Sequence, residues 1–425
     1  MLSTILSAFT VADIRKKLLF TAAILALYRL GSHIPVPGVS ADAVDALRSQ
    51  SQFNNGGVLN FLNVFSGGGL SRIALFALGI MPYITASIIL QLLTVVVPSL
   101  EKLQKEGEVG QQRITQYTRY LTVGLAFAQA IGYVFLFKSF TDDQGQQLIQ
   151  PFNAATVLLI VVSLTAGTIL LMWMGELITQ RGIGNGISLM IFASIVSGLP
   201  NGIQQWWQSD DAVFKVMMPF LALAVIAAIV FIQEGQRRIP VQYAKRVIGR
   251  RMTQGGQTYL PLRVNMAGVI PVIFAASIMA FPPTIGQLLN TQWATDFSNF
   301  FAPSKWPYLI GESIMIVVFT YFYTAVTFNP VDQAENLKKY GGFIPGVRPG
   351  RPTAEFLDRI LARLTFPGAL YLAAVAALPT ILINQTSATF YFGGTSILIV
   401  IGVALDTMKQ LEAQLMMRNY EGFLK

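Results

Sequence analysis

Ten apolar runs constrain this chain more than any other feature of its sequence. They lie near residues 18–34, 73–97, 117–137, 153–175, 187–204, 213–233, 264–284, 307–328, 366–384 and 395–415. Each is close to the ~20 residues an α-helix needs to cross a bilayer. Backbone groups in lipid find no water to bond, so a spanning segment is either a helix or part of a closed barrel. The runs are continuous rather than alternating, which selects helices. Of the 425 residues only 12% are charged, against 53% hydrophobic, whereas a soluble domain carries roughly 25% charge. The sequence predicts an all-α polytopic membrane protein of about ten transmembrane helices.

Charge gives the orientation. Net charge is +9, and in a membrane protein Lys and Arg gather in cytoplasmic loops. With the N-terminus cytoplasmic, segments 1–18, 98–120, 175–186, 234–263, 330–365 and the C-terminal stretch hold 24 of the 30 Lys and Arg. One missed span would scramble that division. Arg15, Lys16 and Lys17 before run 18–34 imitate a signal peptide. The run is too long for one, and Pro35-Val36-Pro37-Gly38 follows instead of a small-residue cleavage site, so an uncleaved first span is predicted. Polar gaps of a few tens of residues leave no room for a soluble domain.

The chemistry of enzymes is missing. There is no cysteine, which excludes disulfides and thiolate sites. The single histidine, His33, excludes an H-E-x-x-H zinc site and is expected to cap the end of span one. No Gly-x-x-x-x-Gly-Lys-Ser/Thr loop exists, so neither nucleotide nor other cofactor is expected. Arg29, Glu176, Glu312 and Asp406 are read as interfacial charges near the ends of runs, reaching for headgroups. A proton-coupled transporter or an intramembrane protease needs paired acids or a relay at mid-depth. Secondary transport of a small solute is the rival reading, and it too lacks a visible midplane site.

Several motifs have plain readings. Arg181-Gly182-Ile183-Gly184-Asn185-Gly186 follows an apolar helix, so it predicts a tight helix–helix turn rather than a phosphate cradle. Gly67-Gly68-Gly69 predicts flexibility and close packing. Segment 54–72 is Gly-rich, moderately apolar and too short to span; such a segment re-enters a membrane only where protein or water shields it. Ile80 and Ile84, like Ile187 and Ile191, stand i, i+4 on one helix face, which alone means contact with lipid or a neighbour. Arg237, Arg238, Lys245, Arg246, Arg250 and Arg251 cluster in one loop. They suit anionic lipid and an acidic partner or RNA equally.

FALGIMPYITASIILQLLT (76–94), ITQYTRY (114–120), LMWMGELITQRGIGNGIS (171–188), GQRRIPVQYAKR (235–246), LPLRVNMAGVIPVIFA (260–275), NPVDQAENLKKYGGFIPGVRPGRPT (329–353) and YFGGTSILIVI (391–401) occur in order over residues 14–419. In these motifs the chain resembles the SecY/Sec61-alpha family of translocase channels. The stretches 138–151 and 285–306 match nothing recognisable. The resemblance implies two inverted five-helix halves, 18–204 and 205–415, around an hourglass pore, with a cytoplasmic segment 1–17 and tail 416–425.

It further implies a pore ring of Ile80, Ile84, Ile187, Ile191, Ile273 and Ile399, and a plug over 58–72 that includes Phe61, Leu62, Val64, Phe65, Gly67, Gly68, Gly69 and Arg72. Spans two and seven match the lateral gate; there the small or polar Thr85, Ser87, Gln91, Asn265, Gly268 and Ser277 would permit close, reversible packing. The two basic loops match the docking surface for the SecA motor and the ribosome with its RNA. Its residues would be Arg237, Arg238, Lys245, Arg246, Arg250, Arg251, Lys338, Lys339, Arg348 and Arg351, with Arg348 the most exposed. SecE as obligate clamp, SecG, signal peptides, nascent chains and anionic lipid complete the implied partners, in a bacterial plasma membrane with both termini cytoplasmic. An apolar ring suits such a substrate, because it seals by dewetting when narrow and offers a passing chain no hydrogen bond.

Overall fold

The computed structural model describes residues 9–39, 58–139, 149, 151–208, 212–243, 247–248, 251–252, 257–280, 292–302, 305–386 and 394–423. Every apolar run carries a helix over at least part of its length. These are α1 (Ala12–Gly31), α3 (Met81–Val96), α5 (Glu108–Ser139), α6 (Ala154–Arg181), α7 (Gly186–Val196), α9 (Ala212–Glu234), α10 (Ile270–Met279), α12 (Trp306–Thr327), α14 (Arg351–Thr386) and α15 (Gly394–Phe423). Between them lie α2 (Val58–Phe65), α4 (Pro98–Lys105), α8 (Leu199–Gln208), α11 (Gln292–Phe300) and α13 (Pro330–Lys339).

Among the described residues six helices are long and apolar enough to cross a bilayer, or seven if α3 and α4 form one path bent by 99°. Pro98 causes that bend, because it drives Val97 out of the helical region, to φ −100°, ψ 111°. Helix α3 has 16 residues, α7 has 11 and α10 has 10, so as helices alone they fall short of ~30 Å of hydrocarbon. Run 187–204 breaks at Ser197-Gly198 rather than continuing as one helix. Before α3, residues 66–80 form turns, and most of them are buried. Irregular backbone at membrane depth is tolerated only with such cover.

His33 closes α1 as expected, its Nδ1 lying 2.8 Å from the Arg29 carbonyl oxygen. The Arg181–Gly186 segment is the predicted tight turn. Gly184 adopts φ +87°, and the Asn185 side chain accepts from the backbone N–H groups of Ile187 and Ser188 to cap α7.

The basic loops depart from an all-helical fold. β1 (Gln236–Tyr243) pairs antiparallel with β4 (Gln257–Arg263), with Ile239 opposite Leu260, and with β5 (Gly342–Phe343), with Gln242 opposite Phe343. β2 (Val247–Ile248) and β3 (Arg251–Met252) form a second small ladder. Ile239, Val241 and Leu262 bury their side chains against Phe328, Ile344, Leu357, Ile360 and Leu361. The two basic loops therefore share a sheet and an apolar core of their own. Ile14 and Ile183 form another small core with Leu411 and Leu415, joining α1 to the end of α15.

Candidate functional site

The largest core draws on most of the spanning helices and holds the isoleucines of the expected ring. Ile80, Ile84, Ile191, Ile273 and Ile399 are all under 5% exposed, and Ile187 packs against the same cluster while partly buried. They come from the start of α3 and from α7, α10 and α15. Helix α10 touches both α3 and α15, and α15 touches α7, so the four carriers are neighbours in series. Pro82 and Pro271, in the first turns of α3 and α10, begin these helices beside Ile80 and Ile273.

The expected plug sits against this cluster. Helix α2 contacts α7, and Leu62 and Phe65 are buried while Val64 packs alongside. Phe61 lies within α2. After it the chain turns sharply: Gly67 and Gly68 adopt φ +65° and +82°, which favours glycine. Asn63 pins the turn, its carbonyl accepting from Gly68 N–H at 2.8 Å and its Oδ1 from Ser71 N–H at 2.9 Å. Arg29 Nη1 donates to the Gly67 carbonyl, and the Tyr28 and Ser194 hydroxyls bond beside it. Gly69 has no room for a side chain, since an added Cβ would stand 3.1 Å from the Phe76 and Ser66 carbonyl oxygens. Arg72 is half-buried. Gly79, at φ +58°, packs its backbone onto Phe65 and Ser66, where a Cβ would stand 3.2 Å from Ser66 Cα. One residue later comes Ile80, so the expected plug packs directly beside the first of the expected ring positions.

Of the six expected gate residues, Thr85, Asn265 and Ser277 are buried, and Ser87, Gln91 and Gly268 are half-buried. Helix α3 contacts α10. Ser277 reaches across: its Oγ lies 4.0 Å from Met81 Sδ, while also donating to the Ile273 carbonyl at 2.7 Å. Asn265 instead serves its own turn, donating from Nδ2 to the Gly268 carbonyl at 2.9 Å. Gly268 supplies φ +64° there. Met81 was not legible as a contact, because nothing in an apolar helix marks which methionine faces a neighbour.

Three of the four charges read as interfacial behave otherwise, Arg29 through its bond to the Gly67 carbonyl. Glu312 is 6% exposed, folded inward among packed helices instead of reaching for headgroups. Glu176 pairs with Arg119 on α5, Nε to Oε1 at 2.8 Å and Nη2 to Oε2 at 2.6 Å. Arg119 stands within run 117–137, and its polar setting, ITQYTRY, was the available signal. Asp406 opens on a cavity of about 430 Å³ at the basic end, lined also by Asn185, Ser188, Arg263, Thr407 and Lys409. Lys409 bridges to Glu234 at 2.7 Å.

At the basic face Arg237, Arg238, Lys338, Lys339, Arg348 and Arg351 are exposed. Arg348 sits in a turn between Gly346 (φ +84°) and Gly350 (φ +104°), and Thr353 Oγ1 donates to its carbonyl at 2.8 Å. Arg351 makes an exposed pair with Glu355 at 3.2 Å. Arg251 belongs to β3, and Lys245, Arg246 and Arg250 lie outside the described residues.

The whole arrangement has relatives. A solved structure of a protein-conducting channel superposes with a TM-score of 0.63 at 18% identity, covering 93% of this chain and 91% of that one. Sec61 in a canine ribosome–channel complex gives 0.60 at 18%, with the same coverage. Those likenesses establish the fold. In sequence, the protein translocase subunit SecY of Streptomyces coelicolor is 50% identical over 438 residues, the full length of both chains. A sequence model described as SecY matches residues 74–408. By the match over most of its length and by identity to its relatives from end to end, the chain belongs to the SecY family.

Proposed function

We propose that this chain forms the conducting subunit of a protein translocase. It passes unfolded polypeptides across a bacterial plasma membrane and releases apolar segments sideways into lipid. The observation that carries this reading is the seating of the plug backbone, Phe65-Ser66, on Gly79 immediately before Ile80. Family membership supports it. Ring and plug are two seals in series. The six isoleucines close an apolar constriction that dewets when narrow, and β-branching keeps each side chain stiff. A threaded chain of any composition displaces them without being held.

An apolar segment of ~20 residues gains free energy in lipid, so the wall between α3 and α10 is the exit, with Met81 and Ser277 at its contact. The exposed cations of the two basic loops receive the SecA motor and ribosomal RNA; both loops lie in the cytoplasm, as do the termini. SecE and SecG complete the assembly, and residues 18–204 and 205–415 act as its two halves. The chain supplies no energy of its own.

The test is reconstitution of the chain, with co-purified subunits, in vesicles with a motor and a secretory precursor. Signal-dependent uptake of the precursor is expected. Saturable uptake of a small solute without precursor uptake would overturn the reading.

A further inference from the structure

The stretch 285–306, which neither the family motifs nor the channel reading accounts for, contains α11. Its rings Trp293, Phe297 and Phe300 recur at i, i+4 and i+7, which places them on one helix face. They are 66%, 45% and 54% exposed. Phe301 packs on two of them, with ring centroids 5.0 Å from Phe297 and 5.2 Å from Phe300. By helical spacing the exposed Gln292 and Asp296 lie together along one flank of that face. An unbroken aromatic face of this kind marks an interaction surface.

Chain connectivity limits what can cover it. Five residues, 301–305, separate α11 from Trp306 at the start of α12, a reach of at most ~20 Å. Part of that reach is taken up by turns, as Lys305 N–H donates to the Ala302 carbonyl at 2.9 Å. On α12 the exposed side chains Trp306, Ile310, Ile314, Val318 and Tyr321 recur every three or four residues. That is a lipid-facing stripe, and it ends at Trp306, where tryptophan prefers the headgroup level. Lys305, beside it, is exposed and suited to lipid phosphate. Helix α11 has 9 residues, so at 1.5 Å per residue it is far too short to cross.

We infer that α11 lies flat in the membrane interface opposite the basic loops, with Trp293, Phe297 and Phe300 in the headgroup–acyl boundary, as a lipid-surface anchor for α12. The inference needs the chain to be in a bilayer and does not need the channel to conduct.

The chain has five tryptophans. A variant carrying Trp173→Phe, Trp206→Phe, Trp207→Phe and Trp306→Phe retains Trp293 as the sole emitter. It is reconstituted in phosphatidylcholine brominated either just below the headgroup or near the chain ends. The expected result is blue-shifted emission, greater loss of intensity with the shallow bromines, and little loss with aqueous iodide. Quenching by iodide alone, protection from both quenchers, or stronger quenching by the deep bromines would each overturn the inference; these mean water, a covering protein and deep insertion. Because the chain is cysteine-free, a nitroxide on Phe297→Cys in the otherwise unaltered protein gives a second reading. Oxygen access should exceed access of an aqueous nickel complex, and the reverse order rejects the anchor. Precursor uptake in the same vesicles is scored separately, so loss of uptake with the quenching pattern intact faults the channel reading alone.

Discussion

Arg119 holds Glu176 in a two-pronged ion pair that ties α5 to α6, with the Glu176 side chain only 13% exposed. Arg119 itself is 43% exposed, so removing it leaves a partly shielded carboxylate without its donor, which costs about 1–3 kcal/mol. Arg119→Leu is expected to lower the thermal unfolding temperature of the detergent-purified chain by that measure. The double variant Arg119→Leu, Glu176→Leu should regain most of the loss. A double variant no more stable than the single one would show that the pair contributes packing rather than charge neutralisation.

Ile84 and Ile191 come from different helices of one apolar cluster. In the proposed seal, replacing either with serine would add a hydroxyl that wets a narrow apolar constriction. Single-channel recording in planar bilayers should find a higher resting ion conductance for Ile84→Ser and Ile191→Ser. Unchanged conductance in both would remove these residues from the seal.

Gly79 carries φ +58° against the Phe65-Ser66 backbone of the proposed plug. A Cβ in the left-handed region costs about 1–2 kcal/mol, and here it would also press on Ser66. Gly79→Ala should therefore loosen the seated plug and raise resting leak while precursor uptake persists. If the variant is as tight as the parent, the seat tolerates the Cβ and the argument fails.

Met81 and Ser277 meet across α3 and α10, Sδ to Oγ at 4.0 Å. In this cysteine-free chain, Met81→Cys with Ser277→Cys should be bridged by a short bis-methanethiosulfonate crosslinker, which joins each thiol through a reducible disulfide. The locked channel should exclude signal sequences, and reduction should restore their insertion. Full translocation in the crosslinked state would move the exit elsewhere.

Arg348 is exposed between two left-handed glycines. Arg348→Glu is expected to impair motor- or ribosome-driven export and to leave the amount of folded membrane protein unchanged. Normal export would reject its docking role.

The spans were legible because lipid imposes one rule, a run of apolar residues long enough to cross, and all ten runs carry helices. The sheet in the basic loops was not. Ile239 and Val241 flank Pro240, and Leu260 and Leu262 flank Pro261; proline in so short a run argues against a strand, and the arginines around it read simply as loop. Asn265 is polar at a helix contact in sequence, yet its partner is the Gly268 carbonyl three residues on, a choice made by local turn geometry. The inward fold of Glu312 depends on which helices pack around it, and that is decided by residues distant in the chain. Arg29 shows the same limit from the other side. Its place near the end of run 18–34 says headgroup, whereas its guanidinium holds the carbonyl of Gly67.

The pairing of β5 with β1, Gln242 opposite Phe343 and Tyr243 opposite Gly342, has a mechanical meaning. The cationic arms after α9 and after α12 are one stiff bracket rather than two independent tethers. A load placed on either is shared by strand hydrogen bonds and by the apolar wedge of Ile239, Val241 and Leu357 beneath them. Under the docking proposed above, a motor bound to either arm would meet the resistance of both, so its recoil would have a single foothold rather than two.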